Sequence, residues 1–271
     1  MQRLLNQMIQ TLSPLRCQNT DNLSRLHFSM SRHLIMIKII SILLVVFSIA
    51  GCNGFVKPDL SSPVNDAYFV VYSGFPAPFL YTASAVQWNE DYAVTTRHTP
   101  FLPDVAYTCS TGCDLAFIKH KADGRLPTWR APCLGEDVTA VGMSPYMMTT
   151  TGKGKVYQTP FLNLKEDSGD LYGIHDGPLI KGMSGGPVMG SDGSVVGINA
   201  GYYSVTPNDI AAQSGLRGAK RVSIFVPFSI IAREWRMFQA QLNNQHGPAG
   251  PALKTDFCST SGLSPLNIPT K

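Results

Sequence analysis

The heptapeptide Gly182-Met183-Ser184-Gly185-Gly186-Pro187-Val188 sets a serine among glycines and runs directly into an apolar stretch. Glycine on both sides lets the backbone turn sharply and lets a second chain approach with no Cβ in the way. The amides of Gly182 and Ser184 can then face one developing oxyanion, and losing a donor of such a pair typically costs about 10²–10³ in rate. A glycine-rich turn without chemistry has the same composition, so the heptapeptide takes its meaning from what precedes it.

Two upstream segments supply that context. Ala93-Val94-Thr95-Thr96-Arg97-His98 is a strand-like run ending in a histidine where the chain leaves the strand. Asp114-Leu115-Ala116-Phe117-Ile118 is an acid opening a buried strand. Alone, the first reads as a surface histidine and the second as a capping or turn aspartate. Together, the three segments place His98, Asp114 and Ser184 in the order base, acid, nucleophile, which differs from the orders found in subtilisin and in the α/β-hydrolases. Asp104 is a rival acid with no buried strand behind it, and His120 and His175 are rival bases without the Thr-x-x-His context.

Short apolar or alternating runs surround these segments, at 68–72, 93–96, 115–118, 138–141, 155–158, 187–189, 195–198 and 222–226. Gly, Pro, Asn or Asp separates most of them, as in Ser191-Asp192-Gly193, and such spacing predicts an all-β sandwich or barrel. One helix is expected near the end, with Ser229 as its cap and Ile231, Trp235, Phe238 and Leu242 as one apolar stripe. Beyond Leu242 the chain is rich in Asn, Gly and Pro, and residues 243–271 read as an irregular tail.

In these features the chain resembles the trypsin-like (chymotrypsin-fold) serine peptidases, and within them the bacterial branch of the HtrA/DegP proteases. The resemblance covers about residues 67–242. The run from Asp114 through Pro132 to Glu136-Asp137-Val138-Thr139-Ala140-Val141-Gly142 follows that branch from the acid to the domain crossover. Gly197-Ile198-Asn199-Ala200-Gly201 stands where the family has its substrate-binding strand. The resemblance implies two six-stranded antiparallel β-barrels, at 67–150 and 151–242, with a C-terminal helix closing the second. It also implies an endopeptidase acting on polypeptides, with His98, Asp114 and Ser184 as the triad, Gly182 and Ser184 as the oxyanion hole, and no cofactor. The primary pocket is expected between Pro178 to Lys181 and Asn199, Ala200 and Gly201. No acid occurs between Gly177 and Ser184, and Asp176 lies farther back, so a cationic side chain in that pocket would be unpaired.

The departures are specific. Met183 stands where trypsin has the aspartate that receives a new N-terminus, so activation of that kind is not expected. His98 and Asp114 lie close in sequence, which calls for a trimmed first barrel. A protein that keeps the fold as a non-catalytic docking module is the competing reading, since fold alone does not prove chemistry.

Composition narrows the partners. Charged residues are 15% of the 271, and 24 glycines and 19 prolines argue against a helical bundle. Of 22 Lys and Arg and 18 Asp and Glu, five bases (Arg3, Arg16, Arg25, Arg32, Lys38) and one acid (Asp21) fall in residues 1–51. The remainder carries no net charge, which disfavours a nucleic-acid binder.

That front segment reads as an address. Residues 39–50 form a long apolar run, too short for a spanning helix of ~20 residues but suited to a secretory signal. Arg32, His33 and Lys38 flank it, and it ends in Ile49-Ala50-Gly51-Cys52, which resembles a bacterial lipobox with Cys52 as the lipidated residue. Residues 1–51 are then leader and signal, with Met30 or Met36 as the expected translation start, and 52–66 is a tether. The expected location is the cell envelope, membrane-held through lipid on Cys52 and facing the periplasm or surface. Asn53, in place of the aspartate associated with inner-membrane retention, favours the outer membrane.

Export makes disulfides the default for Cys109, Cys113, Cys133 and Cys258. Cys109-x3-Cys113 also has ligand spacing, but no second close pair or His-x3-His accompanies it, so no metal site is assigned. Four cysteines allow three pairings; Cys133 resembles the family cysteine before the inter-barrel crossover, which often ties down a distant segment, and the resemblance implies Cys133–Cys258, pinning the tail, with Cys109–Cys113 closing a small loop beside Asp114. Substituting Cys52 by Ala is expected to abolish incorporation of labelled fatty acid and to release the protein from membranes, as read by fractionation.

Overall fold

Runs of consecutive buried residues, many of them β-branched or small, make up most of the longer described strands, and the result is two mainly antiparallel sheets with one long helix packed on them. The computed structural model describes residues 56–59, 66–74, 80–157, 161–162, 170–203, 222–242 and 249–266. The leader, Cys17, Cys52 and Asn53 lie outside the described residues, as do the ends of the tail. No helix among the described residues is long and apolar enough to cross a membrane.

The chain enters with a two-residue strand, β1 (Lys57–Pro58), and then builds β2 (Phe69–Ser73), β3 (Tyr81–Gln87), β4 (Tyr92–Thr95), β5 (Val105–Thr108) and β6 (Ala116–Lys119). The last five form one sheet in the order β2-β3-β4-β6-β5. There follow β7 (Thr128–Trp129), β8 (Asp137–Met143), β9 (Thr149–Lys155), β10 (Phe161–Leu162), β11 (Leu171–His175), β12 (Pro187–Gly190), β13 (Val195–Tyr203) and β14 (Val222–Pro227). After them come α1 (Phe228–Gln241), β15 (Ala252–Leu253) and the short α2 (Phe257–Thr260). The second sheet runs β1-β9-β8-β12-β13-β14-β11-β10, and β7 joins it in parallel beside β13, with β15 beside β7.

The expected all-β class with a C-terminal helix therefore holds, and several boundaries move. The change of sheet falls between Lys119 and Thr128, well before residue 150, because β8 pairs with β12 and β9 of the second sheet. Its inward Val138 packs with Val188, Val196 and Phe225, all second-sheet residues. The first sheet has five strands among the described residues, not the six of a full barrel. Part of the expected tether is β1, which pairs Lys57 and Pro58 with Thr151 and Thr150. The expected tail is anchored by β15 and by the Cys133–Cys258 disulfide. The second disulfide joins Cys109 to Cys113. Strand β3 went unread because Ala83, Ser84 and Ala85 carry little hydropathy, although all three are buried.

Helix α1 follows β14 without a break, and Pro227 is its N-cap with no side-chain capping bond. Ser229, expected to cap, lies one residue inside the helix, and its hydroxyl is buried with no partner among the described residues. Packing therefore stabilises this helix in place of a cap. Ile231, Trp235 and Phe238 are buried as the stripe predicts and Ile230 is buried beside them, while Leu242 is exposed at the helix end. The stripe meets first-sheet aromatics: Trp235 lies 5.2 Å from Phe117 and 5.4 Å from Tyr92, and Phe238 lies 5.1 Å from Tyr107. Trp88 joins this group to Trp129 of β7 at 5.0 Å. Trp235→Ala is expected to cost about 3–5 kcal/mol of stability, measured by urea unfolding, because the cavity would open at the junction of helix and both sheets.

Candidate active site

His98 is positioned by the way β4 ends. Ala93, Val94 and Thr95 are buried in the first sheet, the chain turns out after Thr95, and the Thr96 and Thr99 hydroxyls bond across that turn at 3.2 Å. The His98 amide donates to Asp114 Oδ1 at 2.9 Å, and its Nδ1 lies 2.6 Å from Asp114 Oδ2. Its Nε2 lies 3.1 Å from Ser184 Oγ. A carboxylate at Nδ1 accepts, so Nδ1 carries the proton and Nε2 is left to accept from the serine hydroxyl. The imidazole is 49% exposed and the Asp114 carboxylate only 9%, so the ring faces the surface with its partner sealed behind it.

The short span between His98 and Asp114 is used economically. The chain turns, runs out as β5, reverses through the turn closed by Cys109–Cys113, and returns as β6 paired antiparallel to β5. Asp114 stands at the start of that return. Its amide donates to the Tyr172 hydroxyl at 2.8 Å. Asp104 sits at the opposite end of the hairpin, where its carbonyl accepts from the Lys119 amide.

Ser184 is held by backbone bonds on both sides. The Ser84 amide donates to the Ser184 carbonyl at 2.8 Å, and the Gly185 amide donates to the Asn199 carbonyl at 2.8 Å. The Ser84 hydroxyl donates to the Gly182 carbonyl at 3.0 Å and accepts from the Met143 amide at 3.0 Å. Gly182 and Gly185 have φ of +91° and +80°, a region that favours glycine. A Cβ at Gly182 would also stand 2.6 Å from the Met143 carbonyl oxygen. Among the described residues no hydrogen bond engages the Gly182 or Ser184 amide. Met183 is buried with Ala140, Leu179 and Ile180, so an apolar anchor occupies this position in place of an ion pair.

The expected pocket residues divide. Pro178 is buried with its carbonyl against Gly152, and Gly201 is half-buried beside Ile224. Asn199 is fully buried, and its amide nitrogen donates to the Val141 carbonyl at 2.9 Å and the Met183 carbonyl at 3.3 Å. These bonds place its side chain behind the turn that carries Ser184. Ala200 likewise belongs to the main apolar core. Asp176 is engaged elsewhere, accepting from the Lys155 amide at 2.7 Å and the Tyr157 hydroxyl at 3.2 Å.

The rival bases have structural roles. His120 stacks on Phe69 at 3.8 Å and bonds Gln87 through Nδ1 at 2.8 Å. His175 is fully buried, with Nδ1 accepting from the Gly177 amide at 3.1 Å. Cys109 and Cys113 lie within ligand reach of Asp170, but their sulfurs are bonded to each other. Two residues that position the site were not singled out from sequence. Ser84 lies in the unread strand, and Tyr172 is far from Asp114 along the chain.

No protein-family model matches this chain, and no curated protein matches it. Among solved structures, an inactive form of the Rv3671c protease of M. tuberculosis is similar at TM-score 0.50 and 12% identity, covering 67% of this chain and 97% of that one. A serine endoprotease from Yersinia pestis is similar at TM-score 0.49 and 17% identity, covering 65% of this chain. This chain spans 64% of the Yersinia chain's length. The fold is thus of the chymotrypsin type, that of the trypsin-like serine proteases.

Burial pushes the His175 imidazole down from 6.5 to about 4, only partly opposed by the charge of Asp176. The unfolded chain binds this proton below pH 6.5, whereas the folded protein resists it until about pH 4. This contribution to stability is complete above pH 6.5 and falls by about 3 kcal/mol as pH drops to 4. Asp192, held below the carboxylate range by Arg130, Lys254 and Ser194 despite its burial, adds a loss only below its ordinary value of 3.8. Urea midpoints between pH 7 and 4.5 are expected to fall in the wild type and to flatten in His175→Asn.

Proposed function

We propose that this chain is a serine endopeptidase of the bacterial envelope, related to the HtrA/DegP-like branch and anchored through lipid on Cys52. The observation that carries the peptidase reading is the hydrogen-bonded series from Asp114 through His98 to Ser184. In this reading Ser184 Oγ attacks the scissile carbonyl carbon and His98 Nε2 takes its proton, while the carbonyl oxygen becomes an oxyanion facing the Gly182 and Ser184 amides. Asp114 holds the proton on Nδ1 and stabilises the imidazolium. As the carbon–nitrogen bond breaks, His98 returns the proton to the leaving amine, and a water activated by the same nitrogen then releases the acyl group from Ser184. The half-exposed imidazole suits a substrate as large as a polypeptide.

Specificity follows from what the pocket lacks. Its walls in this reading are the backbone from Pro178 to Lys181 and the open face at Gly201. Both oxygens of Asp176, the nearest preceding acid, are taken by Lys155 and Tyr157. Among the described residues a buried cation there would lack a partner, at a cost of several kcal/mol. Cleavage is therefore expected after small or medium uncharged residues.

A fluorophosphonate probe tests the reaction. Wild-type protein is expected to be labelled and Ser184→Ala not, while Asp114→Asn lowers kcat about 10⁴-fold. A folded wild type that stays unlabelled, or that labels no better than Ser184→Ala, overturns the peptidase reading. A peptide-library profile dominated by cleavage after Arg or Lys overturns the pocket assignment alone.

A further inference from the structure

Asp114 belongs to the first sheet, yet its backbone is held from the second. Tyr172 lies in β11, paired with Phe161 on one side of a strand that borders β14 on the other. Its side chain is fully buried in the main core, and its hydroxyl accepts the Asp114 amide hydrogen at 2.8 Å. Neighbouring groups on both sides of Asp114 are already committed. The Leu115 amide donates to the Cys113 carbonyl at 2.8 Å, and the Cys109 amide to the Leu115 carbonyl at 3.0 Å. The turn is closed by Cys109–Cys113.

The tip of this turn is clamped as well. Ser110 donates its amide to Glu234 Oε2 at 2.6 Å, and the Thr111 hydroxyl donates to Asp170. Arg233 of α1 bridges the two acids, at 2.6 Å to Asp170 and 2.7 Å to Glu234. The tip is thus fixed by α1 and by the residue preceding β11, while the peptide that aims the carboxylate has Tyr172 as its partner. Both carboxylate oxygens of Asp114 bond His98, so a rotation at its amide would disturb both contacts at once.

We infer that Tyr172 is a positioning residue, through which the second sheet sets the direction of the Asp114 carboxylate toward His98. The inference rests on the triad proposed above. A buried amide without its acceptor is driven to find another, and the peptide joining Cys113 and Asp114 can do so only by turning. Tyr172→Phe removes the hydroxyl alone and keeps the ring in the core. Misplacement of a catalytic group by about 1 Å can cost up to about 10²-fold in rate.

The test compares Tyr172→Phe with Tyr68→Phe, a second buried tyrosine whose hydroxyl bonds Thr149 at 2.9 Å and not a triad residue. Tyr172→Phe is expected to lower kcat about 10- to 100-fold with KM within about twofold, and Tyr68→Phe to leave both unchanged. The far-downfield proton resonance of His98 Nδ1–H is expected to shift upfield or broaden in Tyr172→Phe and to persist in Tyr68→Phe. Incorporating 3-fluorotyrosine at position 172, which keeps ring and hydroxyl, is expected to retain both signals; loss there would assign the effect to packing and overturn the inference. A folded Tyr172→Phe with wild-type kcat and resonance also overturns it. A wild type that never reacts with fluorophosphonate defeats the peptidase reading, whereas the resonance needs no turnover and decides the role of Tyr172 independently.

Discussion

The packing of Trp235 and Phe238 against Tyr92, Tyr107 and Phe117 is the contact on which the remaining geometry depends. Helix α1 grows out of the last long strand of the second sheet, and its apolar stripe returns to the first. His98 and Asp114 come from one sheet and Ser184 from the other, so a hydrogen bond of 3.1 Å between them requires the two sheets to keep a fixed relation. A cluster of large aromatic rings meets that requirement, because each ring buries much area in few torsional states and the interior is close-packed. The distance between His98 and Ser184 is in this sense a property of the core.

Buried charges appear where loops from different elements meet. Arg130 bonds Glu136 at 2.7 Å and Asp192 at 2.9 Å, joining β7, the turn before β8 and the β12–β13 hairpin. Burial works against its charge, but the two carboxylates outweigh that and raise its proton affinity. Arg233 plays the same part for Asp170 and Glu234 beside the Asp114 turn. Buried pairs of this kind add little net stability against an apolar alternative, yet breaking one leaves an uncompensated charge. Their value here lies in registry: each permits one arrangement of three segments. Tyr107, beside Glu234, feels the same cluster, and burial together with that acid pushes its phenol up to about 12.

Where the fold is written locally, it was legible. The Ser191-Asp192-Gly193 turn closes β12 onto β13 with Gly193 at φ +78°, as glycine at that place suggests. The helix stripe is equally plain. Strand β3 is not, because Ala83, Ser84 and Ala85 show no hydrophobic contrast and owe their burial to neighbours on both sides. Ser229 misled for the related reason that a good capping residue was overruled by packing, which started the helix at Phe228.

The sequence by itself determined the all-β class, the order of His98, Asp114 and Ser184, and the glycines that the turn around Ser184 needs at positive φ, since these depend on residue type and local spacing. Tertiary structure alone decided that Asn199 lies buried behind the Ser184 turn, that β8 belongs to the second sheet, and that Ser84 and Tyr172 hold the site. Those assignments depend on which strands become neighbours and on which face each side chain then occupies. A serine in β3 and a tyrosine in β11 carry no local sign of the partners they find, because each bond spans 58 residues or more and exists only once the sheets have docked.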